Sequence, residues 1–178
     1  ADSRATINLW PQIGPQGQQG GPFLRTPTAA TLPTATVGEA HESEVYAIVV
    51  HGGRLASAGG DKCIRLWDAT SLSSDGALAA GVHAASIFAL ALVPPSGASA
   101  AAEGGDGDGA ASRGWLLASA DARCEVVLWD WQSRAIARRL LGAAGSICAL
   151  LAYGSGGGTL HAAGSRGELF LWTNLGAD

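Results

Sequence analysis

Short apolar runs alternate with turn residues along most of the chain, at a spacing that suits strands and leaves little room for helices. The clearest stretch is RLASAGGDKCIRLWD, from Arg54 to Asp68. Leu55 to Ala58 is small and apolar, Gly59 to Lys62 carries turn residues, and Cys63 to Trp67 alternates before stopping at Asp68. That order predicts two β-strands joined by a tight turn. The pattern returns as LLASADARCEVVLWD from Leu116 to Asp130, as LHAAGSRGELFLW from Leu160 to Trp172, and truncated as ADSRATINLW from Ala1 to Trp10. One unit recurring with a terminal Leu-Trp predicts a repeat architecture.

Each full unit also has a leading strand. Val45-Tyr46-Ala47-Ile48, Ile87-Phe88-Ala89-Leu90 and Ile147-Cys148-Ala149-Leu150 share one template: a β-branched residue, a variable one, Ala, then Ile or Leu. A small residue repeated at one register predicts that these three strands crowd together near a common axis. A fourth strand is expected at Ala77 to Ala80 in the first unit. In the second, Trp131 to Leu141 is expected to be the outer strand, with Arg134, Arg138 and Arg139 facing solvent as on an edge. The fold class predicted is all-β, in four-stranded antiparallel meanders.

Two stretches break the pattern. Pro11 to Thr36 is rich in Pro, Gly, Gln and Thr and reads as a long loop, with room for a short edge strand near Leu32 to Val37. It has no P-x-x-P with a basic flank, so an insertion loop is preferred to a ligand for an aromatic groove. Pro94 to Gly114 is rich in Gly, Ala and Ser and carries Glu103, Asp106 and Asp108. Its Asp-x-Asp-Gly invites a calcium reading, but the ligand spacing and the closing Glu are missing, and a disordered solvated insert is preferred. The chain then divides as a single partial domain over 1–178. Residues 1–10 end one unit, 11–36 form the loop, 37–81 are a complete unit, 82–141 are a unit with the insert at 94–114, and 142–178 are an incomplete unit.

Composition narrows the function. With 47% hydrophobic and 15% charged residues the chain can bury a core of its own. A net charge of −4, with Lys62 as the only lysine, argues against a phosphate-binding surface. Cys63, Cys124 and Cys148 lie in predicted strands without paired spacing, so buried free thiols are expected rather than a disulfide framework or a zinc site. No apolar run approaches the ~20 residues of a membrane span, and no signal peptide is visible. An intracellular protein, cytoplasmic or nuclear, is expected. The lack of any methionine and the start inside a unit suggest a fragment.

Taken together, these units resemble WD repeats, the four-stranded blades of a β-propeller. In that family a His before the first strand, a Ser or Thr in the second, an Asp in the next turn and the Trp ending the third form a hydrogen-bonded network within the blade. The resemblance implies His41, Ser57, Asp61 and Trp67 in the first unit. In the second it implies His83, Ser119 or a neighbour, Asp121 and Trp129, although the Asp-to-Trp segment is two residues longer there. The third keeps only Trp172, so its network should be absent. The opening piece offers Asp2 and Trp10. A catalytic reading of His41, Ser57 and Asp61 lacks a nucleophile elbow and a Gly-rich oxyanion motif, and the trio decays while the strand pattern persists.

Three function classes follow from the resemblance. The first is a non-enzymatic scaffold or adaptor that binds peptides or protein domains. The second is the substrate-recognition part of a ubiquitin-ligase-type complex, and the third is a chromatin- or RNA-associated propeller, which the acidic balance disfavours. No cofactor, metal, small-molecule substrate or membrane insertion is expected. Tyr46, Phe88 and Cys148, the variable second positions of the leading strands, are the candidate partner-binding rim, with core packing as the alternative. About three blades against the roughly seven usual in the family, with termini that would supply the third strand twice, predict an open arc of a larger ring.

Overall fold

Among the described residues, a glycine pair and capped turns set how neighbouring strands return. The computed structural model describes residues 5–9, 35–78, 81–95, 114–141, 145–153 and 158–175. Among these there is no helix, and 13 strands form four antiparallel sheets. Strands β1 (Ala5–Leu9) and β2 (Ala35–His41) make a two-stranded sheet. Strands β3 (Val45–His51), β4 (Arg54–Gly59), β5 (Ile64–Asp68) and β6 (Ser74–Ala77) make a four-stranded meander in chain order. A second meander comprises β7 (Ile87–Val93), β8 (Leu116–Asp121), β9 (Val126–Asp130) and β10 (Ile136–Leu140). The last sheet has three strands, β11 (Ile147–Tyr153), β12 (Thr159–Gly164) and β13 (Leu169–Trp172). Gly52 and Gly53, both at positive φ (56° and 72°), give the β3–β4 hairpin the two-residue turn whose twist matches its strands.

Several elements differ from the sequence expectation. Of the loop expected at 11–36, Ala35 and Thr36 belong to β2, and the rest lies outside the described residues. The segment 35–41 pairs with β1, with Thr36 Oγ1 donating to Asn8 Oδ1 at 2.8 Å, so it completes the opening sheet rather than starting the next unit. The fourth strand of the first meander is Ser74–Ala77, not Ala77 to Ala80. Asp68 explains the shift: its carboxylate accepts the N–H groups of Thr70 (3.0 Å) and Ser71 (2.7 Å), and the chain turns back at once. Asp130 caps the corresponding turn through Gln132 N (3.1 Å) and Ser133 N (2.6 Å). Residues 131–135 are therefore turn and linker, β10 starts only at Ile136, and Trp131 is buried. Of the insert at 94–114, residues 96–113 lie outside the described set, including Glu103, Asp106 and Asp108.

The sheets stack face to face in chain order, with β7 lying beside both β3 and β11. Ile7, Ala40, Trp67 and Leu72 fill the layer between the first two sheets. Ala56, Ala58, Leu66, Leu90, Leu117 and Trp129 fill the next. Ala89, Ala91, Val126, Leu128, Ile147 and Leu160 fill the last. Of the last three sheets the middle one, β7–β10, is covered on both faces, so its leading strand reads as a continuous apolar run. Strand β3 before it and strands β11 and β13 after it are covered less completely. Ala89 is buried, Ala47 only half-buried and Ala149 exposed, so the expected crowding at the shared alanine holds in the middle sheet alone. Ile48 and Val50 are 57% and 61% exposed, and Leu151, Leu169 and Leu171 are 66%, 85% and 58% exposed, although their register equivalents in the middle sheet are buried or, for Leu92, half-buried.

An ionic clamp pins the second and third sheets at their outer edge. Asp75 of β6 accepts Arg134 NH2 at 2.8 Å on each oxygen and Arg54 Nε at 2.8 Å, while Arg54 NH1 reaches the Trp131 carbonyl at 3.0 Å. Arg134, at φ 64° in the turn after Asp130, is thus committed to a neighbouring sheet rather than to solvent. Its hydrogen bonds hold the Asp75 carboxyl below the usual carboxylate range, against a smaller opposing effect of burial. The three side chains remain about a third exposed, so water screens the pairs. Replacing Asp75 by Asn should cost about 0.5–1 kcal/mol in chemical unfolding at low salt and less at high salt. An equal loss at both salt concentrations would mean that packing, not charge, is what the clamp supplies.

Candidate functional site

Two buried histidines, each on the segment leading into a meander, organise the polar interior. His41, the last residue of β2, places Nε2 2.7 Å from Ser57 Oγ on β4, and Trp67 Nε1 donates to the same oxygen at 2.8 Å. Its Nδ1 lies 2.9 Å from both Asp61 oxygens. An ionised carboxylate only accepts, so His41 donates from Nδ1, Nε2 accepts the Ser57 hydroxyl, and Ser57 accepts the indole N–H. Every proton in the buried chain then has a place. Asp61 also takes the backbone N–H groups of Glu42 and Cys63 at 3.2 Å each. Burial alone would raise its carboxyl, but the His41 and Cys63 bonds outweigh that and hold it below the usual range.

The second meander builds the same chain from differently placed residues. His83 Nε2 lies 2.7 Å from Ser119 Oγ, Trp129 Nε1 donates to Ser119 at 2.8 Å, and His83 Nδ1 meets Asp121 Oδ2 at 3.2 Å. Ser and Trp are 10 residues apart in both sheets, the separation that sets them on neighbouring strands of one hairpin. Only the Asp moves. Asp121 ends β8 opposite Ile87, where the first meander has Gly59 opposite Val45. A side chain at 59 would be driven into the Glu44 carbonyl oxygen, so the first meander supplies its carboxylate from Asp61, inside the turn. Both turns carry a residue in the left-handed region at the same place, Lys62 (φ 65°) and Cys124 (φ 68°).

His83, Asp121 and Glu125 bring ligand-type atoms within 4.8 Å of one another, but these atoms are in use. Asp121 Oδ1 accepts Arg123 N (2.8 Å) and Glu125 N (3.0 Å), and the Glu125 carboxylate is paired with Arg139. The last sheet has Ala162 where the two four-stranded sheets have Ser57 and Ser119, and so no hydroxyl to receive an imidazole or an indole. Trp172 is half-buried and stacked on Phe170 at 5.9 Å. Asp2 and Trp10 lie outside the described residues.

The candidate rim residues share a backbone feature that only strand pairing reveals. The β3–β4, β7–β8 and β11–β12 ladders each skip a residue at the same place, between Val45 and Ala47, Ile87 and Ala89, and Ile147 and Ala149. Tyr46, Phe88 and Cys148 are the skipped residues, and such bulges turn a side chain out of the pleat. Tyr46 and Phe88 meet edge to face across two sheets, their centroids 5.2 Å apart. Tyr46 and Cys148 are exposed and Phe88 is half-buried. The expectation of three buried thiols in strands gives way here. Cys63 and Cys124 precede β5 and β9 and are half-buried, Cys124 sits against the Gly145 carbonyl, and only Cys148 is in a strand.

The residues missed by sequence reasoning were Asp75 and Arg54, whose meeting with Arg134 depends on how two sheets stack, and Glu44, discussed below. Compared with known proteins, the chain matches no protein-family model and no curated relative.

The His83 network makes stability sensitive to pH. Burial holds the His83 imidazole below its ordinary value, although the Asp121 carboxylate works the other way. The unfolded chain therefore takes up a proton at higher pH than the folded one, and stability should fall as pH drops below about 6.5. Chemical unfolding from pH 7.5 to 5 should show this slope, and His83→Gln should flatten it. An unchanged slope in that variant would assign the effect to another group.

Proposed function

We propose that this chain is part of a WD-repeat β-propeller, an open arc of blades, and that it works as a rigid non-enzymatic platform binding other proteins or peptides at one rim. Equal strand order in successive sheets, with leading strands β3, β7 and β11 side by side, supports the propeller reading. The hydrogen-bonded His, Ser, Asp and Trp sets support the repeat type, and the apolar residues left exposed on β3 and on the last sheet support the arc. A triad-like spacing of Ser57, His41 and Asp61 does not favour hydrolysis, because Ser57 and Ser119 are fully buried and a substrate carbonyl has no path to either hydroxyl. These polar groups serve the fold and leave recognition to the surface.

The observation that carries the binding reading is the row of bulges. Three leading strands each present one side chain at one register, two of them aromatic and in contact across the sheet boundary. Rigid aromatics on a preorganised backbone lose little entropy on binding and are common anchors of interfaces. Crosslinking of the whole chain in cell extract, followed by peptide mapping, should place partner crosslinks beside 46 and 88. Tyr46→Ala with Phe88→Ala should abolish them while the circular dichroism spectrum stays unchanged. Crosslinks that persist in the double variant, or that map to the outer strands β6 and β10, would overturn the assignment.

A further inference from the structure

The corner between Tyr46 and Phe88 has a carboxylate at its edge. Glu44 is exposed, two residues from Tyr46, and accepts the Ser43 hydroxyl on Oε2 at 2.5 Å. The Ser43 hydroxyl foremost, with a smaller contribution from the Tyr46 side chain, holds the Glu44 carboxyl below its ordinary value, so it is ionised at neutral pH. Gly60 keeps the space beside it open, because a Cβ there would come within 2.5 Å of Ser43 Oγ and 3.4 Å of Glu44 Oε2. Arg65 is engaged with Asp61 at 3.4 Å, and Lys62 is exposed on the β4–β5 turn. Glu42, two residues before Glu44, is a second exposed carboxylate.

Two rings in edge-to-face contact leave the outer face of one available, and a ring face attracts a cation while an adjacent carboxylate accepts its N–H groups. A planar guanidinium satisfies both at once, stacking on the ring and directing its fork at the carboxylate. We infer that Tyr46, Phe88 and Glu44 form a site for an arginine side chain of a bound peptide. The inference rests on the proposed rim and names the chemistry that the rim selects.

The test uses the whole chain and two probes, N-acetyl-arginine methylamide and its neutral isostere N-acetyl-citrulline methylamide, followed by NMR of the Tyr46 and Phe88 rings. The arginine probe should give saturable ring shifts, with the citrulline probe weaker on the order of tenfold. Glu44→Gln should bring the two probes to equal, weak binding. Tyr46→Leu, which keeps an apolar side chain at an exposed position, should remove the response of Phe88. Equal shifts from both probes, or full arginine binding in Glu44→Gln, would overturn the inference. Partner crosslinks that depend on Tyr46 and Phe88 without any arginine response would defeat this inference and leave the rim standing. Arginine binding with crosslinks unaffected by the double variant would defeat the rim as the partner site and leave the arginine site standing.

Discussion

The buried hydroxyl of Ser57, and its counterpart Ser119, is the point on which the meanders depend. Each sits at zero exposure between an imidazole and an indole, and beyond these only Ser119 has a further partner, the Val127 carbonyl at 3.3 Å. A buried hydroxyl left without partners costs about 1–3 kcal/mol, and an unpaired imidazole or indole N–H adds a comparable amount. The network is therefore close to all-or-none: it forms only when the segment leading into the sheet, the second strand, its turn and the third strand are all in register. His41 also belongs to β2 of the preceding sheet, so the same bond that orders one meander ties it to its neighbour.

The two meanders show which parts of that chain geometry fixes and which it leaves free. Ser and Trp must face each other across one hairpin, so their separation does not vary. The carboxylate has only to reach Nδ1, and it arrives from the turn in one sheet and from the strand end in the other. The last sheet fills the space with Ala162 and relies on apolar packing through Leu160 and Ile147.

Much of this was legible in the sequence. Periodicity and turn residues located the leading, second and third strands, whose apolar pattern is strong. The outer strands were placed less well: β6 and β10 are short and mostly solvated, and β2, though seven residues long, carries little hydrophobic signal. Capping by Asp68 and Asp130, not apolar pattern, decides where β6 and β10 begin. Alanine in a shared register was visible, but whether a given alanine is buried depends on having a sheet on that side, which is why Ala149 is exposed. Nor does a linear pattern show bulges, so the outward turn at 46, 88 and 148 emerged only from the pairing of strands.

Native-state hydrogen exchange of Ser119→Ala against the unaltered chain tests the dependence on the buried hydroxyl most directly. The account predicts that the Trp129 indole N–H and the amides of β8 and β9 exchange faster on the order of ten- to a hundredfold, while β4 and β5, which have their own network, keep their protection. Unchanged exchange of the Trp129 indole and of β8 would contradict it, and would show that apolar packing alone holds the meander in register.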